Sequence, residues 1–288
     1  MSQFTTEGQH TLETSYGPVR YWDHGPGTGG PPLVFLQGFL AAPEVWSDVV
    51  AELTGQHRCI TVDWPFGAHF QPLAPDADLS PPGVARLAIE VLDRLEVPSA
   101  VLVGNDSGGV IAQLVASAHP GRVSALVLVA CDAFECFPPG AYRHLFRLAA
   151  LPGTVRLLAW AMSVPAIARS HIGFGAVIAR DPGRARRWTI PLATNSGVRR
   201  DAAKLMKGSS KTQTLGAARR FADFAQPVLV VWAGQDRLFP RSLGERLAAA
   251  FPHGRFELVD DSATFIPCDQ PHSLAAILAG FLAPDAAR

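Results

Sequence analysis

Several short runs of this chain are apolar at every position rather than at every second one: Leu33 to Leu36, Val101 to Val103, Ala125 to Ala130 and Val228 to Ala233. A strand with one wet face alternates, so a run without alternation must be covered on both faces. Inside one domain that requires a mostly parallel sheet with helices on either side. The intervening sequence supplies the helices. Pro43–Leu53, Pro82–Leu95, Gly108–His119, Ser242–Phe251 and Pro271–Phe281 read as helical, and Val84, Leu87, Val91 and Leu95 fall on one face of the second. With further strands expected over Thr11–Ser15, Val19–Asp23, Leu33–Gln37, Cys59–Asp63, Ala100–Gly104 and Arg255–Val259, the pattern predicts a doubly wound α/β sheet. The Pro/Gly-rich HGPGTGGPP, residues 24 to 32, reads as a loop between strands.

One long segment interrupts the alternation. From Ala133 to Ala225 no run reads as a strand, and helices are expected over Ala141–Leu151, Gly153–Met162 and Gly197–Met206. Charge separates there as well. Residues 133 to 225 hold 15 Lys/Arg against 4 Asp/Glu, although the 288-residue chain is neutral overall. A helical, basic insertion between two strands predicts a lid over the C-terminal edge of the sheet, where open α/β folds bind ligands. The expected division is a core over 1–133, a helical cap over 134–225 and the rest of the core over 226–288.

The stretch VLVGNDSGG, residues 101 to 109, ends an apolar run in a glycine turn and passes directly into a helical pattern. Such a strand–turn–helix lifts one side chain into a site and places the next backbone N–H at a helix start, where it can bind a developing oxyanion. Gly104 and Gly108 bracket Asp106 in the spacing G-x-nucleophile-x-G, whereas Ser107 has asparagine at 105 where that spacing needs glycine. Asp106 is therefore the expected raised residue. The bland alternative is a helix N-cap on a structural turn.

At this point the chain resembles the α/β-hydrolase fold over nearly its whole length. LVFLQGF, VDWPFGAH, VGNDSGG, WAGQDRLFP and DSATFIPCDQP occur in that family's order. The similarity is nearest to the haloalkane dehalogenase and epoxide hydrolase branches, which carry Asp at the elbow. It implies an eight-stranded, mostly parallel sheet with a helical cap inserted before the last two strands. It also implies an oxyanion or substrate site at Gln37-Gly38-Phe39, where His-Gly is usual, with N–H groups from Phe39 and Ser107. Asp236 takes the place of the acid member, with Asp132 as second choice. The loop after the fourth strand borders the site mouth in that family, so Trp64 and His69 become candidates for substrate contact.

The resemblance fails at one position. Where the family's pattern is D-S-x-H-F-x-P, this chain reads Asp261-Ser262-Ala263-Thr264-Phe265-Ile266-Pro267. An alkyl ester on Asp is released by water only with a base to activate it, and a threonine hydroxyl cannot replace an imidazole of pKa about 6.5. His253 and His272 read as surface; His69, His144 and His171 are the histidines positioned to substitute.

The expected function is therefore a non-hydrolytic enzyme on this fold: acid/base-assisted addition, cyclisation, isomerisation, epoxide opening or C–C bond formation on a large apolar or aromatic, polyketide-like metabolite. A true hydrolase using another histidine, and a non-enzymatic binding protein, remain the competing readings. The lid's arginines suggest an anionic ligand or an acidic carrier. Near-neutral charge argues against nucleic acid, and no run of about 18 apolar residues predicts a membrane span. MSQFTTEGQHTLETS lacks the features of a leader. Cys59, Cys131, Cys136 and Cys268 form no C-x-x-C pair and read as reduced thiols. A cytoplasmic monomer or homodimer without cofactor or metal is expected.

Overall fold

The computed structural model describes residues 8–25 and 30–283, so part of the 24–32 loop lies outside the described residues. Eight strands form one sheet in the order β1-β2-β4-β3-β5-β6-β7-β8. They are β1 (Gln9–Thr14), β2 (Gly17–His24), β3 (Leu33–Leu36), β4 (Cys59–Val62), β5 (Ala100–Asp106), β6 (Val123–Cys131), β7 (Val228–Ala233) and β8 (Gly254–Val259). β1, β2 and β4 pair antiparallel; every pair from β4 across to β8 is parallel.

The burial pattern follows from this order. β3, β4, β5 and β7, inside the sheet, are buried at every position. β8, at one edge, alternates, with Arg255 and Glu257 exposed. Successive residues of the inner strands feed two separate cores. Phe35, Val103, Val129 and Val231 pack on one face, with α1 (Ser47–Leu53) and α12 (Pro271–Leu282). Leu36, Leu102, Leu128 and Val230 pack on the other, with α2 (Pro81–Arg94), α3 (Ser107–Ala118) and α10 (Arg241–Ala249). α2 starts at Pro81 because Ser80 accepts the Gly83 N–H at 3.3 Å and two prolines fill positions that need no donor.

Between β6 and β7 the chain contains α4 (Arg143–Leu148), α5 (Thr154–Ser163), α6 (Pro165–Arg169), α7 (Ile190–Thr194), α8 (Ser196–Gly208) and α9 (Lys211–Ala218), and no strand among the described residues. The insert is fastened by buried carboxylates. Asp201 on α8 accepts the Leu73 N–H at 2.8 Å. Asp269, the last residue of α11 (Ile266–Asp269), accepts N–H groups of Ala179, Arg180 and Ala263 at 2.9–3.1 Å. α9, at the end of the insert, packs against α3. No helix of the described residues is long and apolar enough to cross a membrane.

The β5–α3 junction depends on its glycines. A Cβ on Gly104 would lie 2.7 Å from the Gly108 oxygen, and one on Gly108 would strike the carbonyls of Leu36 and Gln37. Backbone atoms cannot swing aside as side chains do. Gly108→Ala is expected to lower the unfolding free energy in urea by about 2 kcal/mol or more. Gly121→Ala, where a Cβ meets nothing within 4 Å, should change it by no more than about 0.5 kcal/mol.

Candidate active site

β5 delivers Asp106 to the top of the sheet in a conformation that few non-glycine residues adopt, φ 53° and ψ −127°. Strain of about 1–3 kcal/mol is tolerated there because the surroundings hold the residue. One carboxylate oxygen, Oδ1, accepts the Ser107 N–H at 2.5 Å and the Phe39 N–H at 3.3 Å. Gly38 makes room for this approach: a Cβ there would sit 2.7 Å from the Asp106 Cβ. Below the turn, Asn105 donates to the carbonyls of Val129 and Thr264 at 2.9 and 2.8 Å, tying β5 to the loop after β8.

Three carboxyl groups gather at this edge. Burial raises Asp106 above the usual carboxylate range, and the N–H and hydroxyl of Ser107 and the Phe39 N–H pull it partly back. Asp132, just past β6, is fully buried, and among the described residues neither oxygen has a hydrogen-bond partner. Burial first, and the Asp106 charge second, push Asp132 well above the usual carboxylate range. Asp236, after β7, caps its own turn by accepting from Leu238 and Phe239 at 2.8 and 2.9 Å. Burial lifts it to about 6 against these bonds.

Thr264 is buried and donates its hydroxyl to Asp236 Oδ1 at 3.0 Å. The structure therefore brings Asp106, Asp132, Asp236, Thr264, Ser107 and Phe39 to one end of the sheet. Three other expected contacts are not made. Gln37 is buried beneath the turn, its amide atoms unpartnered among the described residues, and it does not line the cavity at Asp106. The Trp64 indole is wholly buried and donates to the Phe35 carbonyl at 2.9 Å, a core bond. His69 accepts the Gly67 N–H on Nδ1 at 3.3 Å, so Nε2 carries the proton and donates to Asp201 at 3.3 Å. Both nitrogens are committed to clipping the insert to the core, and the ring does not reach the cavity.

No other histidine takes its place. His144 and His253 are exposed, His171 accepts from Arg237 at 2.7 Å, and His272 contacts Glu52. The cavity above Asp106 is small, about 90 Å³, and nearly all apolar, with Phe39, Phe146, Phe174, Met162 and Phe265 in its wall. No Lys, Arg or His lines it, so the expectation of an anionic ligand finds no partner in this cavity. Tyr142, which no motif marks, does line it; burial and then the Asp106 charge push its hydroxyl above the usual phenol range. Only the path of the chain after β6 puts this residue opposite the turn, in a segment whose sequence reads simply as helical. No cluster of His, Cys, Asp or Glu among the described residues is arranged to hold a metal.

Comparison with known proteins agrees with this geometry. A profile described as alpha/beta hydrolase fold matches residues 31–271. The chain is 27% identical to haloalkane dehalogenase 2 of Mycobacterium tuberculosis, over 93% of this chain and 92% of that protein. It is 22% identical to the uncharacterized hydrolase YugF of Bacillus subtilis, covering 91% and 93% of the two. Its structure superposes on haloalkane dehalogenase DbeA from Bradyrhizobium elkani with a TM-score of 0.74, at 19% identity, over 97% and 99% of the chains. The eight-stranded sheet, the strained turn after β5 and the match over most of the length agree: this chain belongs to the α/β-hydrolase fold family.

Proposed function

We propose that the chain is a cofactor-independent enzyme in which Asp106 acts as a general base or electrostatic anchor in a non-hydrolytic reaction. The observation that carries this reading is the Thr264–Asp236 hydrogen bond at the position where an imidazole would serve, together with a cavity wall that contains no histidine. An Asp that attacks carbon makes an ester, and without a base that ester persists. An Asp that only takes a proton hands it back to the product or to solvent, and no ester has to be hydrolysed.

The surroundings suit proton transfer. Asp106 Oδ1 is held by two N–H groups, which leaves Oδ2 to face the ligand. Burial moves its pKa upward, towards the range where a base is effective near neutral pH. Tyr142 keeps its proton and can donate to an oxygen on which charge develops. The apolar wall favours an apolar or aromatic small molecule and excludes water that would compete as nucleophile. We read residues 134 to 225 as the cap that closes over it. At about 90 Å³ the cavity itself admits a small group, so a large substrate extends out of its mouth or displaces part of the cap. The reaction classes that fit are addition, cyclisation, isomerisation or epoxide opening. The similarity to a dehalogenase favours a second reading, in which Asp106 attacks an alkyl carbon as a nucleophile.

Replacing Asp106 by Asn keeps the shape and removes the charge; turnover is expected to fall by roughly 100-fold or more. Ser107→Ala should stay within a few-fold, since it removes the hydroxyl beside Asp106 but keeps the backbone N–H that holds Oδ1. Turnover unchanged in Asp106→Asn rejects the assignment.

The two readings separate in solvent enriched in ¹⁸O, with haloalkanes, epoxides and aryl esters as probes. A non-hydrolytic enzyme places no solvent oxygen in product; multiple-turnover incorporation by the wild type establishes hydrolysis. If Asp106 can be alkylated, intact-mass spectrometry should show a stable adduct on the wild type. Thr264→His, with Asp236 beside it to orient the ring, should release that adduct.

The pH dependence of stability has a definite sign. Asp236 titrates at about 6 in the fold and near 3.9 when unfolded. Its carboxyl costs the fold nothing below about pH 4, and the penalty grows as pH rises through 6. Asp236→Asn should therefore raise the unfolding free energy at pH 7.5 by on the order of 1–3 kcal/mol and leave it near wild type at pH 4. Denaturant titration at the two pH values checks this; an equal change at both overturns it.

A further inference from the structure

The insert holds a second concavity that the chemistry at Asp106 does not use. It is a groove of about 360 Å³ between α4 and the α8–α9 corner, four times the size of the cavity at Asp106. Its floor is apolar, formed by Phe137, Pro138, Phe146 and Met206. Its rim carries Arg143 and Arg147, one turn apart on α4, facing Lys207 at the end of α8 and Lys211 at the start of α9.

Part of the insert's basic charge is already neutralised or held by the fold. Arg184 and Arg187 pair with Asp48 and Glu44 of the core. Arg200 pairs with Asp201, and Lys204 donates to the carbonyls of Pro75 and Ala77. Among the described residues, the side chains of Arg143, Arg147, Lys207 and Lys211 have no ion pair and no hydrogen bond. Glu135, the carboxylate that Lys211 influences, is already bound to Arg246 at 2.6 Å. Four like charges around one concavity repel one another and raise the local potential, and a bound anion relieves both.

We infer that this groove binds the phosphate end of a phosphorylated organic ligand. A single carboxylate would answer one of the four charges. A phosphate carries about −1.5 to −2 at pH 7 and offers three oxygens to the forked donors of arginine. The apolar floor suits an organic body attached to it, which a bare inorganic ion would not use. A nucleic-acid surface would need a longer basic strip; this one is a short groove lined by four cations.

The groove also lies one side chain from the candidate active site. Phe146 forms part of both walls, and its ring packs on Phe39 at 5.5 Å. α4 thus turns Arg143 and Arg147 to the groove, while Leu145 and the preceding Tyr142 line the cavity over Asp106. A ligand seated by its phosphate could extend past Phe146. That the ligand is the substrate rests on the Asp106 reading; the phosphate site itself does not.

The test is calorimetric titration of the full chain with inorganic pyrophosphate and with adenosine 3′,5′-bisphosphate, at ionic strength held constant with sodium chloride. Both should bind the wild type, the bisphosphate more tightly because of its organic part. The double substitution Arg147→Glu, Lys207→Glu should weaken both by about tenfold or more, as expected for losing charge-assisted contacts. Arg156→Glu, an exposed arginine of the insert that does not line the groove, should change binding by less than about twofold. Asp106→Asn should leave binding intact even where it abolishes turnover. Absence of pyrophosphate binding at millimolar concentration overturns the inference, as a groove built for an acidic protein surface would give. Equal weakening by Arg156→Glu overturns it too, by showing a diffuse field and no site. A bisphosphate that binds no better than pyrophosphate removes the organic part of the ligand.

Discussion

The hold of two backbone N–H groups on one oxygen of Asp106 is the interaction around which this end of the molecule is arranged. It requires Asp106 to sit at φ 53°, which in turn requires α3 to start at the next residue and to lie hard against β3 and β5. No side chain fits at 38, 104 or 108 without displacing backbone or the carboxylate itself. The cost of the strained turn is met by the packing of the whole sheet around it, where the central strands are buried on both faces. A rigid, dry carboxylate is the product of that arrangement.

What the carboxylate can do then depends on its neighbours. Asp132 and Asp236 add acidic groups and no cation: the Asp106 charge raises the proton affinity of both, and Asp236 adds to the effect on Asp132. In a site with an imidazole, one charge of the opposite sign would relieve this cluster. Here Thr264 offers only a hydroxyl, which goes to Asp236. The same lack of a counter-charge is repeated in the opposite sense on the insert, where four cations around one groove have no anion. The net charges of core and insert are thus only partly used against each other, through pairs such as Arg187–Glu44.

His69 shows how position overrides residue type. An imidazole in the loop after β4 is a reasonable substitute base when only its place in the chain is known. In the fold its two nitrogens are spent on Gly67 and Asp201, and Asp201 also takes the Leu73 N–H. The ring is a clamp between core and insert. Trp64 is likewise a core residue, because the bend that brings its indole to the Phe35 carbonyl turns it away from the cavity.

The order and burial of the strands were legible in the chain, since uninterrupted apolar runs such as Val228–Ala233 have no stable place except between two layers of helix. The strained turn at Asp106 was legible too, because backbone crowding forces glycine at fixed spacings. These features are local: each is dictated by sterics or periodicity within about ten residues. The tertiary structure alone decided which groups share the cavity and the groove. Tyr142, Phe146 and Phe174 meet Asp106, and Arg143 meets Lys207, across separations of tens of residues, through the way short helices of the insert pack. Helical spacing tells which face of a segment is apolar but not what that face will meet, so the partners of an irregular insert are set by long-range packing, which leaves no local mark in the sequence.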